Sequence, residues 1–195
     1  MNAEQERMLA AQICRGDQMA FRQFVDAYKD RVSGYIYRLI PVYADREEVC
    51  QDVFVKAWSH LDRFRFDSSL STWLYRIAWR TAISHLRSHQ SHLRHTVPVE
   101  SDEGMAAEDQ MQNGPLEQLG DEQMQGLVNG EINDLPMEER NILTLYHFLE
   151  LGIRDISQIT GRPEGTIKSD LFRVRKKLKD QVALRLGQTT EQVST

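Results

Sequence analysis

From Thr96 to Asp134 the chain carries ten acidic residues and no lysine or arginine. Gly, Asn and scattered Met fill the stretch and apolar residues are sparse, so it cannot bury enough surface to fold by itself. A 195-residue chain divided at that place leaves two short modules. The whole chain has a formal net charge of −5, so everything outside the stretch carries +5. The acidity therefore belongs to one segment and the flanking modules are cationic. Two readings of the segment stand side by side: a solvated spacer, or an acidic strand that imitates nucleic acid inside a basic channel. Its second half, "GPLEQLGDEQMQGLVNGEI", leaves room for a short helix leading into the next module.

Outside the stretch the apolar residues recur at helical spacing. In "DQMAFRQFVDAYKDRVSGYIYRLI", Phe21, Phe24, Val25, Tyr28, Val32, Tyr35, Ile36 and Leu39 share a face, after a Gly16 stop and an Asp17 N-cap. Asp45 followed by Glu48 offers a capping box for the next helix. That helix is expected to bury Cys50, Val53, Phe54, Ala57, Trp58 and Leu61. It would expose Val49, Gln51, Asp52, Val55, Lys56 and Ser59, a mixed surface with valines on it that suits a protein partner. After a break at "RFRFDSS", Leu70, Leu74, Ile77 and Ala78 form a core stripe, with Trp73, Arg76, Arg80, Ile83 and Arg87 about a third of a turn away. Arg63 to Arg94 contains six arginines and one acid. Arginines interleaved with aromatics supply cations for phosphates and faces on which single-stranded bases stack.

Beyond the acidic stretch, "DLPMEERNILTLYHFLELG" reads as a helix with Ile142, Leu145, Tyr146 and Leu149 inward. A short helix, a turn at Gly161 and a longer helix entered through Pro163 follow, which is the pattern of a helix-turn-helix. In the longer helix Ile167, Leu171, Val174 and Leu178 must face the core. Lys168, Phe172, Arg175 and Lys179 then face away, with Ser169 and Lys176 alongside. Such a stripe fits a helix seated in a DNA major groove, its first residues at base edges and its later cations at phosphates. The fold class is therefore all-α: two small helical domains joined by an acidic flexible linker, the C-terminal one a helix-turn-helix.

Other chemistry finds little support. The chain lacks a P-loop, a G-x-S-x-G elbow and an H-E-x-x-H pair. His85, His89, His92 and His95 cluster, but no Cys, Asp or Glu follows closely to complete a metal site, so neither metal nor cofactor is expected. Cys14 and Cys50 have neither metal-ligand spacing nor a disulfide-framework count, and are expected reduced and buried. The first residues, "MNAEQERMLA", show no signal-peptide pattern, and no apolar run approaches the roughly 18 residues of a membrane span, so a cytoplasmic protein without membrane insertion is expected.

The blocks "DREEVCQDVFVKAWSHLDRF", "STWLYRIAWRTAISHLR" and "LPMEERNILTLY…GIRDISQITGRPEGTIKSDLFRVRKKL" resemble the extracytoplasmic-function sigma factors, bacterial promoter-specificity subunits of RNA polymerase. The resemblance spans about residues 5–95 and 130–182. It implies a first domain at 1–95, a linker at 96–130, a second domain at 131–183 and a disordered tail at 184–195. It further implies that Val49, Gln51, Asp52, Val55, Lys56 and Ser59 dock on the β′ clamp helices of core polymerase. Arg65, Phe66, Ser68, Ser71, Thr72, Trp73, Arg76, Trp79 and Arg80 would open the minus-ten element and hold its bases. Thr166, Lys168, Ser169, Phe172, Arg173, Arg175, Lys176 and Lys179 would engage the minus-thirty-five duplex. Implied partners are core RNA polymerase (β′ clamp helices and β flap), promoter DNA and an anti-sigma factor; no catalysis is implied. Relatives often have Asn where this chain has Arg80, so the usual minus-ten base preference is not carried over. The residues themselves leave two other readings open: an ordinary helix-turn-helix regulator with a sensing or dimerising first domain, and a metal-dependent enzyme built on the histidine cluster.

Overall fold

The computed structural model describes residues 3–95 and 119–193, with side-chain surroundings for 4–88 and 125–185. Over the first half, α1 (Ala3–Cys14), α2 (Gln18–Leu39), α3 (Tyr43–His60) and α4 (Leu70–His95) are joined by short turns, with a 3-10 turn at Leu61–Arg63. The second half holds α5 (Leu119–Asn133), α6 (Met137–His147), α7 (Ile153–Thr160) and α8 (Glu164–Val193). Among the described residues there is no strand.

The α1–α2 corner follows from two residues. Gly16 takes φ 85°, a left-handed conformation that glycine reaches without strain, and the Asp17 carboxylate accepts hydrogen bonds from the Met19 and Ala20 amides. The anticipated capping box at Asp45 does not form. Helix α3 begins earlier, at Tyr43, behind Val42, which has no capping side chain. Asp45 instead lies 2.9 Å from Nε2 of His85 on α4, a tertiary contact that ties two helices together. The same α2–α3 corner is closed by Arg46, which donates to the carbonyls of Ile40 and Pro41.

The apolar arc of α3 is also turned from its expected position. Val49, expected on the outer face, is 1% exposed and packs in the core with Val53, Ala57 and Leu61. Trp58, expected inward, is 42% exposed. The reason is that α3 lies against both α2 and α4, so the buried arc is set by two neighbours rather than one. Cys14 is likewise exposed rather than buried, and Cys50 is half-buried; neither is in a disulfide. Of the segment 184–195 read as a tail, residues 184–193 continue α8, and the last two lie outside the described residues. Arg185 forms an ion pair with the buried Glu131 carboxylate, Nε to Oε1 2.5 Å, and approaches Asp134, so the end of α5 holds α8 beyond the core.

A core of buried residues runs without interruption through both halves. It gathers Phe24, Val32, Tyr35 and Ile36 of α2, Leu70, Leu74 and Ala78 of α4, and Ile142, Leu145, Ile156 and Ile167 of the second half. A smaller cluster, Ile132, Leu135, Leu143 and Val174, seats α5 against α6 and α8. Helix α4 packs on α7 and α2 on α6. Two modules were expected; their close apposition was not.

Candidate nucleic-acid interface

In the second half Gly161, at φ 75°, closes α7 with its amide on the Ser157 carbonyl at 2.8 Å. The Ser157 hydroxyl donates to the Arg162 carbonyl at 2.6 Å, and the Arg162 guanidinium meets the buried Asp170 carboxylate at 2.5 Å. Asp170 therefore joins the turn to the helix after it and fixes how α8 leaves α7. With Ile167, Leu171 and Val174 buried, Lys168, Ser169, Phe172, Arg175, Lys176 and Lys179 all face outward. Phe172 is 71% exposed, an apolar ring left on a cationic face. Thr166 is half-buried. Arg173 pairs with Asp170, and Arg175 donates to Nε2 of His147 at 3.2 Å while covering the Tyr146 ring. Burial, and then the Arg175 charge, hold the His147 pKa below its ordinary value, so the neutral ring that can accept this bond is favoured. Lys168, Lys176 and Lys179 form no ion pair among the described residues.

In the first half the loop before α4 is built around aromatics. Phe64 lies 4.7 Å from Phe66 and 5.4 Å from Trp73, ring centroid to centroid. Phe66 takes φ 58°, a conformation costly for an aromatic residue and tolerated where the surroundings hold it. Glu6 supports the loop from below: one carboxylate oxygen accepts from the Tyr28 hydroxyl and the other from the Leu70 amide. Ser69 caps α4 by accepting from the Thr72 amide at 3.1 Å. A cavity of about 230 Å³ lies among Arg7, Phe64, Phe66, Ser68 and Ser69. Arg65, Phe66 and Arg80 are exposed, whereas Ser68, Ser71, Trp73 and Arg76 are half-buried.

Two residues of the expected strand-reading set are covered. Thr72 is 1% exposed and donates its hydroxyl to Asp155 of α7 at 3.2 Å; Trp79 is 6% exposed. Arg76, Trp79, Arg80 and Arg87 line one side of a cavity of about 420 Å³ whose other side is Gln158 to Gly161. This face of α4 thus lies partly against α7, with Trp79 covered and Arg80 left exposed. His85 is engaged by Asp45, and no cluster of three metal-ligating residues occurs among the described residues. The side chains of His89, His92 and His95 lie outside the described set, as does most of the acidic segment.

On α3, Gln51, Asp52, Val55 and Ser59 are exposed, and Lys56 is half-buried between Asp52 and Thr81. The sequence reading missed the apolar ground beside them. Met19, Phe21, Val25, Phe54, Val55 and Trp58 line an open groove of about 800 Å³ between α2 and α3. Its signal was present in the Phe21–Trp58 pair, since a Trp flanked by partly buried neighbours is as well suited to a groove as to a core.

Residues 24–92 match the family model for sigma-70 region 2, and residues 128–178 match that for sigma-70 region 4. The chain is 34% identical over 185 residues to the RNA polymerase sigma-H factor of Pseudomonas aeruginosa, covering 90% of this chain and 93% of that one. It is 32% identical over 185 residues to the ECF RNA polymerase sigma-E factor of Escherichia coli K12, with 91% and 94% covered. In structure it resembles a sigma factor from Bartonella quintana solved with an anti-sigma factor: TM-score 0.65, 25% identity, 84% of this chain and 96% of that chain. Two helical halves in this order, carrying these two matches, define a promoter-specificity subunit. The chain belongs to the extracytoplasmic-function sigma factors of the sigma-70 family and is an RNA polymerase sigma factor.

Proposed function

We propose that α8 reads the minus-thirty-five duplex while the Phe64–Ser71 loop and α4 capture opened minus-ten bases, with α3 as the seat on core polymerase. The observation that carries this reading is the exposed stripe Lys168, Phe172, Lys176, Lys179 on a helix whose opposite face is core. Aromatics beside arginines on the α4 side supply stacking and phosphate contacts. For polymerase the support is the α2–α3 groove, where Val55 is 63% exposed next to Trp58. The β′ clamp helices would lie along it, with the β flap meeting the second half. The likeness to the anti-sigma-bound relative supports an anti-sigma partner here as well. The protein acts without a catalytic step of its own and, as a partner of polymerase on DNA, in the cytoplasm. No helix among the described residues is long and apolar enough to cross a membrane.

Run-off transcription with core polymerase tests the whole reading: promoter-specific product is expected only when the chain is present. Arg80→Ala is expected to impair strand opening, seen as lost permanganate reactivity of unpaired thymines, while assembly with core polymerase persists. Unchanged opening would remove Arg80 from the strand-reading face.

A further inference from the structure

We propose that Asp170 sets how selectively α8 reads duplex DNA. It holds the Arg162 and Arg173 guanidiniums in place, keeps Arg173 directed for a base edge, and withholds both cations from sequence-independent phosphate contacts. The inference rests on the minus-thirty-five reading of α8 given above and assigns Asp170 as a positioning residue within it.

Asp170 is out of place by the period of its own helix. It stands three residues after Ile167 and four before Val174, on the inward face, and is only 5% exposed. An apolar side chain would fill that position without the cost of desolvating a carboxylate. The acid is kept there by two cations. Its Oδ2 lies 2.5 Å from Nη2 of Arg162, in the turn before the helix. Its Oδ1 accepts from Nη2 of Arg173, about one turn further along. A local rule broken in this way is where a functional constraint is expected.

The cations between residues 161 and 179 accordingly fall into two sets. Arg162 meets Asp170 and Glu138, Arg173 meets Asp170, Arg175 meets His147, and Lys177 meets Glu139. Lys168, Lys176 and Lys179 form no ion pair among the described residues. A lysine is a point charge on a flexible stem, and it adapts to any backbone phosphate. The Arg173 side chain is 72% exposed yet anchored through one nitrogen, so its remaining N–H groups keep a fixed direction. Direction is what a bidentate contact with the two acceptors of a guanine edge requires. A phosphate, by contrast, must compete with Asp170 for either guanidinium. Affinity for any duplex is thereby kept down while discrimination is kept up.

The test uses the full chain assembled with core polymerase. Duplexes randomised over the minus-thirty-five element are bound, recovered and sequenced, and a fluorescein-labelled duplex of mixed sequence is titrated over a range of salt. Asp170→Asn is expected to bind the mixed duplex about threefold to tenfold more tightly. Its log-log salt slope should be steeper by about one to two, as one or two cations reach phosphates. Its selected element should lose definition, with preference at one position falling about tenfold. Adding Arg173→Gln to Asp170→Asn should return the slope by about one, which a merely structural role for Asp170 would not do. Glu164→Gln removes the same charge from an exposed residue of the same helix and should change the slope far less. If circular dichroism shows Asp170→Asn unfolded, Arg173→Gln alone carries the test. Discrimination should then fall about tenfold with the salt slope unchanged, because that cation is already withheld.

A folded Asp170→Asn with the wild-type slope and the wild-type element would overturn the inference. So would an equal slope change in Glu164→Gln, or an Arg173→Gln variant that flattens the slope while keeping the element. In each of these cases a wild-type complex that selects a defined element leaves the reading of α8 standing. A wild-type complex that selects none overturns both.

Discussion

Helices α4 and α8 are both amphipathic, both rich in cations and both carry an aromatic on the cationic side, yet they meet solvent differently. The outer stripe of α8 is open, with Phe172 exposed and three lysines unpaired among the described residues. The matching face of α4 lies against α7, with Trp79 and Thr72 covered and Arg76 half-buried. The difference teaches that a charge pattern shows what a face is suited to bind without showing whether it is free to do so. Duplex DNA needs a preformed, rigid stripe. A surface that stacks opened bases is useful only after the duplex melts, and it can remain covered until then.

Substitutions on adjacent residues break this comparison most sharply. Ile167→Ala empties a fully buried site in α8 and is expected to destabilise the second half by about 2–5 kcal/mol, measured by urea unfolding. Its neighbour Lys168→Ala is expected to leave stability within about 0.5 kcal/mol. It should instead cost about 1–3 kcal/mol of discrimination between matched and mismatched minus-thirty-five elements, measured by competition binding of the polymerase complex. Equal weakening on both elements would show that Lys168 does not read bases. Lys176→Ala, farther along the groove, should weaken every promoter alike and reduce the log-log salt slope by about one.

The smallest expected effect concerns pH. His147 has its pKa held below the ordinary value of 6.5, so the unfolded chain takes up a proton before the folded one as pH falls. Its contribution to stability is therefore complete above about pH 6.5 and is lost as pH falls through the folded value. Protonation also removes the acceptor for Arg175, freeing that guanidinium at the edge of the α8 stripe. An NMR titration should place the His147 transition on the acid side of a free histidine. His147→Gln should abolish the associated loss of thermal stability. A transition at or above the ordinary value would remove the Arg175–His147 contact from the account.

Much of the molecule was legible from residue order alone because local physics dictates it. The Gly16–Asp17 corner, the Gly161 turn and the Ile167–Leu171–Val174 face each depend on a few neighbouring residues: a positive φ, an amide needing an acceptor, a 3.6-residue period. The outward stripe of α8 follows from the last of these. What the chain left open depended on how many helices press on each one. Val49 went inside and Trp58 partly out because α3 has two neighbours, a matter no periodicity within α3 records. Asp45 gave up a helix cap for His85, forty residues away, because a partly buried carboxylate binds whichever partner the packing delivers. Asn141, Thr72 and Trp79 are decided at longer range still, across the junction of the two halves. Sequence determined two helical modules and the cationic faces proposed to meet DNA. Only the tertiary structure decided which face is covered, because burial there comes from the other half of the chain.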